Sequence, residues 1–338
     1  MIRRPAVSLG PRPELRWSAD RPGFRPRRVV VVGGSGFVGA ALVAGLVSIG
    51  TSTQALGAPR LRLDPSISNP SRIVDAARDC SAVERLTDQL RGADVVVNAA
   101  GLAAPDSPAT GALYGANALL PAVLALAAKR AGVARVIHVS SAAVQGRRRV
   151  LDESLDVAPF SPYSHAKALG ERGFLMAGQS EDYGIDFVVI RATSVQGEGR
   201  ATTQALRRIA RSPLASVASP GSQPTTVSSI NALTHLIMQI VACEESIPPV
   251  VLQPWEGYGV REILTLAGAS APVQLPRSLA TAVLSVARLL GNLSPQVAGV
   301  SRRVELMWMG QEQASGFATR FRPVEGRPLA SILTGRVS

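Results

Sequence analysis

Cysteine is scarce in this chain. Cys80 and Cys243 are its only two, far apart and without CxxC or Cys/His spacing, so neither a disulfide framework nor a metal site is indicated. A reducing, cytoplasmic location is expected. Aromatic residues are also few, 4% of the chain, and none interleaves with the basic run Arg147–Arg149 as a single-strand nucleic-acid binder would need. Acidic side chains number 24 against 36 Lys and Arg, a net charge of +12 that could draw nucleic acid or an anionic substrate through the same long-range field. Its distribution matters more than its sum. Arg3, Arg4, Arg12, Arg16, Arg21, Arg25, Arg27 and Arg28 lie beside five prolines in the first 28 residues, a composition that resists packing. Residues 1–28 are therefore expected to be a disordered basic arm, a solvated tail or a start codon set too early, rather than a nucleic-acid arm. With 338 residues, 46% hydrophobic and 18% charged, the chain is long enough for one large globular domain or two.

What is present is an uncharged stretch, VVVVGGSGFVGAALVAGLVSIG, at 29–50. Preceded by Arg27 and Arg28, it imitates a signal anchor. Its glycines argue otherwise, because each costs about 1 kcal/mol inside a helix, yet Gly33, Gly36 and Gly39 are spaced GxxGxxG. Four β-branched valines suit a short buried strand. After it, Gly33 permits a tight turn, Gly36 lets backbone approach a pyrophosphate, and Gly39 lets the next helix pack closely. Val38, Ala41, Leu42, Gly45, Leu46 and Ile49 then form one apolar helical stripe.

The fingerprint gains weight if strands and helices continue to alternate. Val95–Val97, Val136–Val139, Phe187–Ile190 and Val250–Leu252 read as strands, with helical patterns over 81–91, 117–131 and 163–177 between them. The economical reading is an α/β fold: a Rossmann-type doubly wound parallel sheet over 29–190. Residues 191–338 form a smaller C-terminal α/β substrate domain, with some segments returning to the sheet. The strand at 136–139 ends in Ser140-Ser141, and Tyr163 and Lys167 follow four apart on one helical face. There an ammonium can stabilise phenolate and lower the tyrosine pKa, while a serine hydroxyl polarises the same substrate oxygen. His138 reads as a core residue and His165 as pointing away from Lys167.

In this order, glycine turn, Asn98-Ala99-Ala100-Gly101, serine strand and YxxxK, the chain resembles the extended short-chain dehydrogenase/reductases, in particular the NAD-dependent epimerase/dehydratase group acting on nucleotide sugars. The resemblance implies catalysis by Ser141, Tyr163 and Lys167. It implies NAD or NADP held by Gly33, Gly36, Phe37, Val38, Gly39, Ala99, Ala100 and Gly101, with Tyr163 and Lys167 at the nicotinamide end. Asn117 and Arg191 match family positions, and Asp79, with Asp75 as its rival, matches an adenine-side aspartate. No metal and no nucleic acid are expected, and a homodimer is admitted. Val32 stands where threonine is usual, Gln145 where tyrosine is, and Ala192 where proline is.

Two further departures bear on ligands. Gly57 occupies the place of the acidic residue that binds the adenosine ribose in NAD-preferring members, and Arg60 just beyond would suit a 2′-phosphate, so NADP weighs at least equally. Gln223–Ser229 lacks the arginine that often holds the sugar-nucleotide diphosphate, leaving Arg207, Arg208 and Arg211 as substitutes or as a solvated helix face. From Leu275, LPRSLATAVLSVARLLGNLS reads as a helix on the substrate domain, too charged at Arg277 and Arg288 for a membrane span. The leading expectation is an oxidoreductase or epimerase on a nucleotide-linked sugar or similar hydroxyl/ketone substrate. The alternative is a regulatory or scaffold protein of the same fold that binds dinucleotide without turnover.

Overall fold

A computed structural model describes residues 18–103, 108–179, 184–291 and 295–335. The valines form β1 (Arg28–Val32), the glycines turn the chain, and α1 (Phe37–Ser48) follows, so 29–50 is strand, turn and helix rather than one membrane-crossing helix. Gly39, Leu42 and Leu46 face inward, whereas Ile49 is the 64% exposed C-cap, which ends the expected stripe a turn early. β2 (Ser52–Leu56) is a polar edge strand. α2 (Pro70–Arg78) starts at Asn69, whose side chain accepts from the Ser71 N–H, and α3 (Ala82–Leu90) leads to β3 (Val95–Asn98).

α4 (Gly111–Tyr114) passes through a π-helical turn at Gly115–Leu119 into α5 (Leu120–Ala131), which Gly132 ends in the left-handed region with φ 72°. This long apolar helix is mostly buried inside the protein. β4 (Arg135–Ser141), β5 (Val150–Leu151), α6 (Pro162–Gly178) and β6 (Asp186–Ala192) complete the first half. The second half holds β7 (Ser194–Gln196), α7 (Ala201–Ala210), β8 (Ser216–Ala218), β9 (Val227–Ser229), α8 (Ile230–Val241) and β10 (Val250–Leu252). It ends with α9 (Val260–Gly268), β11 (Val273–Leu275), α10 (Arg277–Gly291), α11 (Pro295–Met309), β12 (Glu312–Gln313) and α12 (Pro328–Thr334).

The main sheet has the order β10-β6-β4-β3-β1-β2, with every pair parallel. β10 is thus a strand of the later half that returns to the sheet. Alternate valines face opposite layers, as period two requires. Val30 and Val32 join a core with Ile73, Leu124 and Phe174, while Val29 and Val31 join Leu42 and Ile237. Because β2 lies outside β1 and β3 on its other side, the order reverses between β1 and β3. A crevice opens there at the carboxyl ends of the strands, where open α/β sheets bind ligands.

Within the expected arm of 1–28, the residues from 18 onward are packed. Arg28 already belongs to β1, and residues 18–27 pack against the opposite end of the sheet. The Ser18 N–H donates to the Ile247 carbonyl at 3.0 Å, and Arg21 Nε donates to Asp186 Oδ2 at 2.9 Å. Phe24 lies under the Arg135 guanidinium at 4.7 Å. A buried carboxylate with two cations and an aromatic lid outweighs the prolines; residues 1–17 lie outside the described chain.

Candidate active site

The three fingerprint glycines do different work. Gly33 has φ +81°, and a Cβ there would stand 2.8 Å from the Ala100 backbone, so this turn lies directly against the turn after β3. On Gly39 a Cβ would meet the Gly33 carbonyl oxygen at 2.1 Å, which only glycine avoids. Gly36 faces open space apart from that same oxygen at 3.2 Å, and it caps α1 without any side-chain hydrogen bond. The helix therefore presents its first N–H groups at the crevice, with Phe37 and Val38 in its first turn.

From there a continuous floor leads toward the YxxxK helix. The Ala99 N–H donates to the Val32 carbonyl, and the Ala100 N–H to Asn98 Oδ1 at 3.1 Å. A Cβ on Gly101 would meet Asn117 Oδ1 at 2.7 Å and Lys167 Nζ at 3.2 Å. Asn117 is fully buried in the π-helical turn, and its amide exchanges two hydrogen bonds with the Leu102 backbone. Lys167 is buried and donates to the Val139 carbonyl at 3.0 Å; desolvation lowers its pKa to about 8, opposed by Glu171.

Ser141 and Tyr163 come together at the end of this floor. Burial raises the Tyr163 pKa, and a hydrogen bond with Ser141 and the charge of Arg200 pull it down. Lys167 is the cation the sequence assigns to the phenol; the charge of Arg200 acts on it as well. Sequence reasoning missed Arg200, the N-cap of α7. It stacks on the Phe37 ring at 4.4 Å, donates to the Val195 carbonyl, and among the described residues pairs with no carboxylate. Gly197 makes room for that ring, since a Cβ there would lie 2.5 Å from it. The GxGR run that closes the turn after β7 was the available signal.

Beneath the serine runs a buried ionic network. Arg191, fully buried, reaches Glu171 at 2.8 Å and the Ser154 carbonyl at 2.6 Å, and Ser140 Oγ donates to Glu171 Oε1 at 2.6 Å. It fixes the last residue before Ser141 and the helical turn after Lys167. Gln145, in place of the family tyrosine, is also buried and holds the Asp152 carboxylate at 2.6 Å and the Asp152 N–H at 2.9 Å.

Other sequence candidates stand apart from this cluster. Asp79 is the exposed C-cap of α2, and no side-chain hydrogen bond or ion pair joins it to the crevice, so its adenine role rests on sequence position alone. Arg60 lies exposed beyond β2, without a partner among the described residues, on a segment held to α4 by the Leu63 N–H and the Gly111 carbonyl at 3.0 Å. Arg207 is spent on the Leu333 and Ile332 carbonyls, and Arg208 and Arg211 are exposed. Arg147, Arg148 and Arg149 pair with Glu305, Asp152 and Asp156, and Glu312. His165 turns to the Tyr114 hydroxyl at 2.9 Å, away from Lys167. Among the described residues no group of His, Cys, Asp and Glu is placed to hold a metal.

His138 accepts from the Asn98 amide at 3.1 Å, and burial, with Lys167 nearby, holds its pKa well below 6.5. Below that pH the unfolded chain binds a proton that folded His138 refuses. Stability should therefore fall by up to about 1.4 kcal/mol per pH unit as pH drops, until the folded state also protonates. Urea midpoints between pH 7 and pH 5 should shift less for His138→Gln than for the parent; equal shifts would refute this.

A six-stranded parallel sheet with a glycine turn at its switch point is the frame of the extended short-chain dehydrogenase/reductases. The NAD dependent epimerase/dehydratase family matches residues 29–233, and the chain belongs to it. It is similar to a dTDP-glucose 4,6-dehydratase of Streptomyces niveus, 29% identical over 184 residues, 50% of this chain and 54% of that protein. It is also similar to a 4-hydroxy-2-methyl-3-oxo-4-farnesyl-3,4-dihydroquinoline-1-oxide ketoreductase of Stigmatella aurantiaca, 32% identical over 188 residues, 50% and 51% of the two chains. The chain spans about half the length of the curated relatives it matches. Among solved structures, UDP-glucuronic acid 4-epimerase from Bacillus cereus with NAD superposes with a TM-score of 0.59 at 17% identity, over 91% of this chain and 96% of that one. A human epimerase family protein with NADPH gives 0.60 at 19%, over 91% and 98%. At these identities the likeness is one of fold.

Proposed function

We propose that the protein is an NAD(P)-dependent oxidoreductase or epimerase acting on a nucleotide-linked sugar or a related hydroxyl/ketone substrate. The observation that carries this reading is the approach of the turn after β3 to Lys167, 3.2 Å from a Cβ placed on Gly101, on the same helix that carries Tyr163 one turn earlier. The crevice fits a dinucleotide: Gly36 leaves open the place a side chain would fill, and α1 begins there uncapped. Gly33, Gly36, Phe37, Val38 and Gly39 would hold the diphosphate, Ala99 to Gly101 the middle of the cofactor, and Lys167 the nicotinamide ribose. When bound, the nicotinamide supplies hydride chemistry.

The protein's own groups manage the proton. Burial keeps the Tyr163 phenol protonated at neutral pH, so it can donate from Oη to a substrate oxygen or take the proton back in the reverse direction. Ser141 orients that oxygen. Gly57 and unpaired Arg60 favour NADPH, which leans the reading toward reduction, in which the cofactor is consumed, over epimerisation, in which it is returned. Purified protein with NADH or NADPH and a panel of nucleotide sugars tests this. Steady absorbance loss marks a reductase, product exchange without loss marks an epimerase, and binding with neither result sinks the catalytic reading.

Arg200 supplies the guanidinium that Gln223–Ser229 lacks. Unpaired and beside the catalytic tyrosine, it is the candidate partner for a substrate phosphate. Arg200→Ala should raise KM about tenfold, the worth of one charge-assisted hydrogen bond, with a smaller change in kcat. Unchanged KM for every active substrate would exclude that role.

A further inference from the structure

α10 carries more apolar surface than its neighbours cover. Ala280 and Leu284 are buried, and α10 packs along α11. Leu279, Val283, Val286 and Leu290, spaced i, i+4, i+7 and i+11, form a second stripe that is 51, 44, 57 and 52% exposed. Leu289 beside it is 69% exposed. The expected helix packed on the substrate domain is thus only half packed.

The helix that carries this stripe holds two arginines and no acidic residue. No acidic residue occurs from Ile263 to Val304, a stretch that contains Arg277 at the first position of α10. The small β8–β11 pair that feeds α10 has its own exposed corner, where the Val273 N–H donates to the Ala215 carbonyl beside Leu214. A tight turn from Ser212 to Ala215 brings Arg211 to that corner. Arg208, Arg211 and Arg277 are exposed, and among the described residues no carboxylate pairs with any of them. The whole chain carries +12.

We propose that α10 docks this face on an anionic lipid surface, lying in the plane of the headgroups. Apolar side chains with a cationic flank are what such an interface selects, through buried area and attraction to acidic headgroups together. A helix of 15 residues is about 22 Å long, short of the roughly 30 Å needed to cross the hydrocarbon. A second copy fits the face less well, because a two-fold contact through it would bring the same arginine flank against itself.

Flotation of the full chain with vesicles tests the assignment. Binding to phosphatidylcholine/phosphatidylglycerol (3:1) should be at least about tenfold stronger than to phosphatidylcholine alone, and should weaken sharply in high salt. Val283→Asp/Val286→Asp, which changes only exposed positions, should reduce it to the neutral-vesicle level with thermal unfolding and dinucleotide binding unaltered. Retained binding in that variant would assign vesicle affinity to other basic segments and overturn the proposal. So would the absence of any vesicle binding, or a concentration-dependent dimer of the parent chain that this variant dissociates.

Discussion

Tyr163→Phe should lose about a thousandfold in turnover while still binding dinucleotide. The substitution removes one oxygen from a half-buried ring, so packing is kept and the proton donor is lost. Positioned proton transfer contributes typically about 10²–10⁴-fold, and the Ser141 hydroxyl, a weak acid, cannot replace a phenol. Stopped assays under saturating substrate read kcat, and fluorescence titration of reduced cofactor reads binding. A variant with parental kcat would show that Tyr163 is not the acid. A variant that lost cofactor binding as well would point to a structural role for the hydroxyl.

Arg191→Met should destabilise the protein by about 3–5 kcal/mol, the largest stability effect expected from any single change in the site. It leaves Glu171, which is 2% exposed, without its cation and the Ser154 carbonyl without its donor. The loss is a desolvation cost more than a lost attraction. The double variant Arg191→Met/Glu171→Leu should therefore recover part of it, because two apolar groups replace a buried pair at little cost. Urea unfolding of the three proteins gives the comparison. If the double variant were as unstable as the sum of its singles, the pair would be acting through something other than charge.

Much of the sheet could be read in advance because its strands are buried on both faces, and valine runs such as 29–32 and 95–97 have no other good use. β2 could not be read so. Its STQAL sequence sits at an exposed edge, where neither burial nor alternation imposes a pattern. α2 was hidden for a different reason: its apolar positions are few, and its start depends on an Asn69 cap in a stretch rich in Pro and Ser. At the candidate site, the glycine turn was legible as spacing, and Ser141, Tyr163 and Lys167 were proposed on the same ground. Arg200 was not, because the GxGR run marks only a turn, while its approach to Phe37 joins segments far apart in sequence. Residues 18–28 were misjudged by composition: the fold gives Arg21 a buried carboxylate to answer, which its setting among arginines and prolines does not announce.

That pairing decides where the chain can be cut for laboratory work. A version trimmed at Arg27 on the strength of its proline and arginine content would discard Arg21 and Phe24. Asp186 would keep Arg135 as its partner, but the ring over that guanidinium would be gone and the underside of the sheet opened to water. A version that keeps Ser18 onward retains both contacts.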